Sequence, residues 1–576
     1  MSGGPAIAPQ RPELVTDGVP ARRPRWIEIA TSTDHKDIGR VLIAGAFGFL
    51  AIALIEFLMI RLQLIVPENG LIEPVTFNRL LSVMGATLTV LFVLPLAMGL
   101  YTYIVPLQIG ARSVAFPRLA NLGTWLFLIG GAALYISFVY TPPETGVNPL
   151  PPLSDIAFTS NNGPDVWITT AGLSVLGMVL LAITLIVTVS RMRAPGLAWR
   201  RLPPFAFSGT VASWVILVAG PAMLAALTML EIDRHFGGIF FVPGEGGAPT
   251  YWQHLSWIFF TGCYLLMILP AAGAISEILP TFSRKPLLNR RAVNISMVAI
   301  GVLGLLAWMQ NMFTASIPIG WLYAAMLCAV LLLVPICLLF VNWLGTLASG
   351  TIEARAAMLY ALAAISTISF GLGAELTHAV IPVNWLMADT VDSTAATGYV
   401  LVGGSVMGGM AALHYWFPKI TGRFMGESLR KISLLVILIG VQVTFLPMFL
   451  AGVDGQPVDA YKYYEDNLFS DGVVSTYQNL DTLNLISSIG AIVLIIGIAI
   501  ALGNAARSAG HGQRAGHDPW RGDTLEWFAL SPPPVHNFDV VPDVRGDEPM
   551  RDIRDAVRGR SAPERASRAE SGEPVA

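Results

Sequence analysis

The chain has 576 residues, 54% of them hydrophobic and only 13% charged, with a mean hydropathy of +0.63. That is more apolar than a protein keeping a wetted surface can be, so the chain reads as an integral membrane protein whose first partner is the lipid bilayer. A net charge of −3 excludes nucleic acid or another polyanion as partner.

Residues 1–30 are rich in Pro, Gly and Arg and read as a disordered N-terminal tail. No cleavable signal peptide is visible there, so the first apolar run is expected to direct insertion. Each helical crossing needs about 20 apolar residues. Twelve such runs follow, centred near 51, 92, 130, 178, 218, 268, 303, 333, 367, 407, 442 and 492. Residues 31–503 therefore read as an all-α polytopic membrane domain of twelve transmembrane helices, and residues 504–576, polar again, as a cytoplasmic C-terminal tail. With the N-terminus inside, the five inner loops hold fifteen basic residues, from Arg112 and Arg118 to Arg430 and Lys431. The six outer loops hold four: Arg61, Arg79, Arg234 and Lys462. The positive-inside rule then puts both termini in the cytoplasm. Cys263, Cys328 and Cys337 all lie in apolar runs, and their spacing gives no disulfide framework.

Several segments resemble subunit I of the haem-copper oxidases (cytochrome c oxidase subunit I): STDHKDIG (32–39), PLQIGARSVAFPR (106–118), MRAPG (192–196), DRHFGGIFF (233–241), WFPKITG (416–422), TLEW (524–527) and SPPP (531–534). So do the central runs WQHLSWIFFTGCYLLMILP (252–270) and WMQNMFT (308–314), and the resemblance spans roughly residues 31–540. It implies a twelve-helix core, a bacterial plasma membrane location, other oxidase-type subunits as partners, and two haems with one copper. Those cofactors take six imidazoles. The chain has eight histidines: His35, His511, His517 and His536 in the tails, His235 and His254 in an outer loop, and His378 and His414 towards helix ends.

The resemblance places the low-spin haem ligands at Met84 and in the Ala396/Gly398 pair that also carries the second haem, and the copper ligands at Thr261, Gln310 and Asn311. None is a histidine, so no cofactor is expected. The family's cross-linked tyrosine falls at Leu265 beside Tyr264, and its proton-path residues at Cys263, Ser113 and Leu339. Its propionate-holding arginines fall at Val458 and Asp459.

The remaining polar residues have bland and functional readings. Met84 is read as packing rather than ligation, and Gln310 with Asn311 as an interhelical hydrogen-bonding pair. Glu56 is the carboxylate set deepest by sequence, a functional position by default in a membrane, although Arg61 could pair with it. Glu375 and His378, one turn apart, read as a solvated pair or an acid/base pair. Asp389 reads as a loop cap, and His414 with Trp416 as interfacial belt. Two absent haems would leave voids worth roughly 10 kcal/mol each, so inward packing of the tenth helix is expected, with bound lipid as the alternative. The resulting expectation is a catalytically inert scaffold or partner subunit in a respiratory oxidase-type complex. Its alternatives are an active terminal oxidase, taking electrons from cytochrome c or quinol and pumping protons, and a small-molecule or ion transporter using the vacated interior.

Overall fold

A computed structural model describes residues 25–348, 350–463 and 479–555. The expected tail lies outside them up to residue 24, and a short helix, Arg25–Ala30, occupies its end. Twelve helices among the described residues are long and apolar enough to span a membrane, as expected: α1 (His35–Gln63), α2 (Pro74–Gln108), α3 (Pro117–Val139), α4 (Gly163–Arg191), α5 (Pro204–His235) and α6 (Thr250–Ser283), then α7 (Arg290–Met312), α8 (Ile319–Ala348), α9 (Ala356–Ala379), α10 (Val391–Thr421), α11 (Glu427–Val453) and α12 (Leu480–His511). The last helix thus continues past residue 503. An even number of crossings puts the start of α1 and the end of α12 on one face, here the terminal face.

Burial separates the centre from the rim. The most apolar stretch of α10 is 89% buried, of α2 78% and of α6 72%, against 28% for α8 and 33% for α1. A helix facing lipid needs an apolar outer stripe, and α8 supplies one with Leu327, Leu331, Val334, Leu338 and Val341 exposed. The buried helices instead carry small residues where they cross. A methyl group at Gly404 of α10 would overlap the Met267 carbonyl of α6, so the two backbones touch. Both α2 and α10 widen into i→i+5 turns, over Thr87–Val93 and Leu401–Gly408. The void between them and α6 is ≈10 Å³, lined by residues such as Val93, Met267, Gly404 and Gly408. The close α6–α10 crossing leaves little space there.

The C-terminal segment forms a roof over the terminal face. Lys419 at the end of α10 donates to the Ala529 carbonyl (2.7 Å), and Lys36 of α1 to Val535 O and Asn537 Oδ1 (both 3.1 Å). Trp520 Nε1 donates to Tyr415 O (2.9 Å). This roof overturns the interfacial reading of His414 and Trp416. His414 is buried and stacks on Tyr360 (4.8 Å), while Trp416 is wholly buried under Glu526.

The α6–α10 contact yields a paired prediction. Gly404→Leu overpacks a backbone crossing and should lower stability by more than about 1–3 kcal/mol, whereas Gly373→Leu, at a position with open space, should be nearly neutral. Unfolding temperature in mild detergent separates the two, and equal effects would contradict the crossing.

Candidate functional site

The positions that the resemblance assigns to cofactor ligands fall where the helices have closed. Ala396 is fully buried, and a methyl group at Gly398 would overlap the ring of Phe445, which α11 inserts there. Phe445 also packs on Tyr399 (5.5 Å). Met84 is partly buried against the apolar core. Leu265 fills the space at Gly304 of α7. Near its end α7 tightens into a 3₁₀ turn, Ala307–Met312, which carries Gln310 and Asn311. Asn311 is exposed, and its Nδ2 reaches Thr261 Oγ1 at 3.5 Å and Trp308 O at 3.3 Å. The interhelical amide contact is therefore present for Asn311, but at the bundle rim and long. Alanine and glycine carry no donor atom, and Phe445 occupies the space beside Gly398, so this set does not fit two haem irons and a copper.

The charge that remains is gathered at the two ends of the bundle. At the face opposite the termini, His378 Nε2 lies 2.8 Å from Asp392 Oδ2, with Asp392 wholly buried. Asp392 also accepts from Thr390 Oγ1. Glu375 lies one turn before His378 on the same side of α9. This corrects two expectations. His378 is not half of a solvated pair with Glu375, because the first turn of α10 brings a carboxylate onto it. Asp389 caps nothing with its side chain: it is exposed at positive φ (60°), and its carbonyl accepts from Val458 N at 2.8 Å.

Glu56 is buried in α1, facing Tyr135 of α3, whose hydroxyl is 2.8 Å from Thr87 Oγ1 at the start of the wide turn in α2. Arg61 does not pair with it. The guanidinium turns to α12, where Nη2 donates to Asn484 O (3.1 Å), Asn484 Oδ1 (3.2 Å) and Ser488 Oγ (3.3 Å).

Residues unforeseen from sequence form the second end cluster. Gln108 Nε2 of α2 donates to Glu277 Oε2 of α6 (2.7 Å) and to Glu526 Oε1 of the roof (3.3 Å). Glu277 Oε1 accepts from Phe205 N (2.8 Å), and Glu526 Oε1 from Trp416 Nε1 (3.1 Å). Glu277 is thus as deep as Glu56, and its signal was a lone acid inside an otherwise apolar run. Burial pushes the Glu526 carboxyl above its ordinary value of 4.5, against the lowering effect of the Trp416 and Gln108 bonds. Asp165, Glu231 and His235 could bring three ligand atoms together at the opposite face, but Asp165 already holds Arg234 (2.6 Å).

Comparison with known proteins agrees with this architecture. The family model for cytochrome c and quinol oxidase polypeptide I matches residues 37–493. The chain is 36% identical over 524 residues to cytochrome c oxidase subunit 1 of Bacillus subtilis (strain 168), covering 90% of this chain and 82% of that one. To cytochrome c oxidase subunit 1 of Thermostichus vulcanus it is 35% identical over 520 residues, covering 90% and 92%. A cryo-EM structure of a haem-copper terminal oxidase dimer superposes with a TM-score of 0.68 at 14% identity, covering 83% of this chain and 85% of that one, a likeness of fold alone.

Removing one partner of a buried pair strands the other, so Asp392→Ala should cost about 3–5 kcal/mol, while Asp389→Ala should stay within about 0.5 kcal/mol. Thermal denaturation of the two variants tests which acid the fold uses. A second prediction concerns pH. Because the folded Glu526 binds its proton more tightly than the unfolded one, roof docking is strongest in acid and weakens as pH rises from 4.5 through the raised value. Glu526→Gln should flatten that slope, read as protease access to residues 512–555 across the pH range.

Proposed function

The chain belongs to the cytochrome c and quinol oxidase polypeptide I family, and from that premise we propose that it is a member without haem or copper, acting as a scaffold or partner subunit in a respiratory oxidase-type complex. The observation that carries this reading is the coincidence of two losses at one place. Ala396 and Gly398 supply no ligand atom, and the Phe445 ring takes the room beside them.

The bundle's surfaces supply the rest of the argument. The terminal face is bound into one piece by Lys36, Gln108, Lys419 and the roof, which leaves a rigid platform on which other membrane subunits can dock. In this reading the protein sits in a bacterial plasma membrane with both termini cytoplasmic, as the basic loop residues favour. The membrane unit runs to the end of α12 at His511, and the segment after it packs across the terminal face.

A working terminal oxidase is the second reading, favoured by the 36% identity over 524 residues to a protein named cytochrome c oxidase subunit 1. Sharing a fold does not carry chemistry with it when the reacting groups differ.

One spectrum decides between them. The full chain, purified from its native membrane, is expected to lack a Soret band and to hold iron and copper far below one atom per chain. A Soret band with near-stoichiometric iron would overturn the haem-free reading, and oxygen uptake by the purified chain carrying that iron would establish the second.

A further inference from the structure

On the terminal face, where α9, α11 and α12 meet the roof, a cavity of ≈540 Å³ is lined by Arg355, Arg430, Arg507, His511, Glu427 and Trp520 among others. Three guanidinium groups thus face one carboxylate. Glu427 Oε1 takes Arg430 Nη2 at 2.8 Å and Lys431 Nζ at 3.7 Å. Arg355 and Arg507 are exposed and make no ion pair among the described residues. Arg430 is only 7% exposed, yet its Nε lacks a hydrogen-bond partner. A buried donor without an acceptor costs free energy that a bound anion would recover.

The backbone adds to the same field. Helix α11 begins at Glu427 with Gly426 as its cap, and no side chain caps its first amides. Ser428 and Leu429 line the cavity there. The N-terminus of a 27-residue helix presents free N–H groups and the positive end of its dipole. Guanidinium forks match the paired oxygens of a phosphate.

We propose that this cavity binds a phosphate group, supplied by the headgroup of an anionic phospholipid. The source follows from position: the cavity opens at the ends of three spanning helices, the level at which headgroups lie, and basic pockets between such helices take anionic lipids. The site is independent of whether the chain carries haem.

The test uses the full chain in neutral detergent, with unfolding temperature read against added phosphatidylglycerol, phosphatidylcholine or inorganic phosphate. Phosphatidylglycerol should stabilise the chain at concentrations where phosphatidylcholine does not. Arg355→Gln and Arg507→Gln, both at exposed positions that leave folding intact, should each raise the phosphatidylglycerol concentration needed by about tenfold. Arg200→Gln, exposed on the same face outside the cavity, should not. Full stabilisation by inorganic phosphate alone would keep the phosphate site and overturn the lipid source. No response to phosphatidylglycerol, or an equal response in the Arg355/Arg507 double variant, would overturn the site.

Discussion

Apolar helices surrounded by hydrocarbon gain little by burying apolar surface against one another, so their association rests on close packing and on polar bonds. In this bundle the controlling contact is the α6–α10 crossing, where Gly404 lets one backbone lie on the carbonyl of Met267. With α10 lying on α6, the void shared with α2 is ≈10 Å³, and Phe445 of α11 lies against Gly398. The wide turns in α2 and α10 flank this same void.

A closed apolar centre leaves charge nowhere to go but the ends. Buried ions in a low-dielectric interior are tolerated only when paired or hydrogen-bonded, and both end clusters obey that rule. Asp392 meets His378 and Thr390 at one end. At the other, one glutamine amide bridges two carboxylates from different parts of the chain, Glu277 and Glu526. The second arrangement makes the roof part of the folded core, since Glu526 and Trp527 are as buried as any helix interior.

The twelve crossings were legible because hydrocarbon thickness sets a length that composition alone reveals. The close helix crossings of α10 could be anticipated from the glycines at 398, 403, 404 and 408, where a methyl group would overlap a neighbouring element. What escaped was any polar contact made between elements distant in sequence. Arg61 and Glu56 are five residues apart and invite pairing, yet five residues on a helix turn two side chains well away from each other, and Arg61 finds Asn484 instead. His378 and Glu375 share a face, but the closer partner, Asp392, arrives across a turn that periodicity cannot see. His414 and Trp416 sit near a helix end, which suggested an interface, but Tyr360 of α9 stacks on the first and the returning C-terminal segment meets the second.

Several of the segments by which the chain resembles its family build the ends of the bundle. In DRHFGGIFF, Asp233 accepts from Phe240 N (3.0 Å) and Phe241 N (2.8 Å), while Arg234 holds Asp165 and the Asn161 carbonyl. In PLQIGAR, Gln108 is the bridge between the two glutamates, and in WFPKITG, Trp416 and Lys419 carry the roof. These groups serve loop geometry and helix-end satisfaction, needs that every twelve-helix bundle of this shape has, whatever lies at its centre. A family match built largely at the ends of the bundle therefore coexists with replaced ligand positions at Ala396 and Gly398 in one fold, and family membership by itself carries the architecture further than it carries the chemistry.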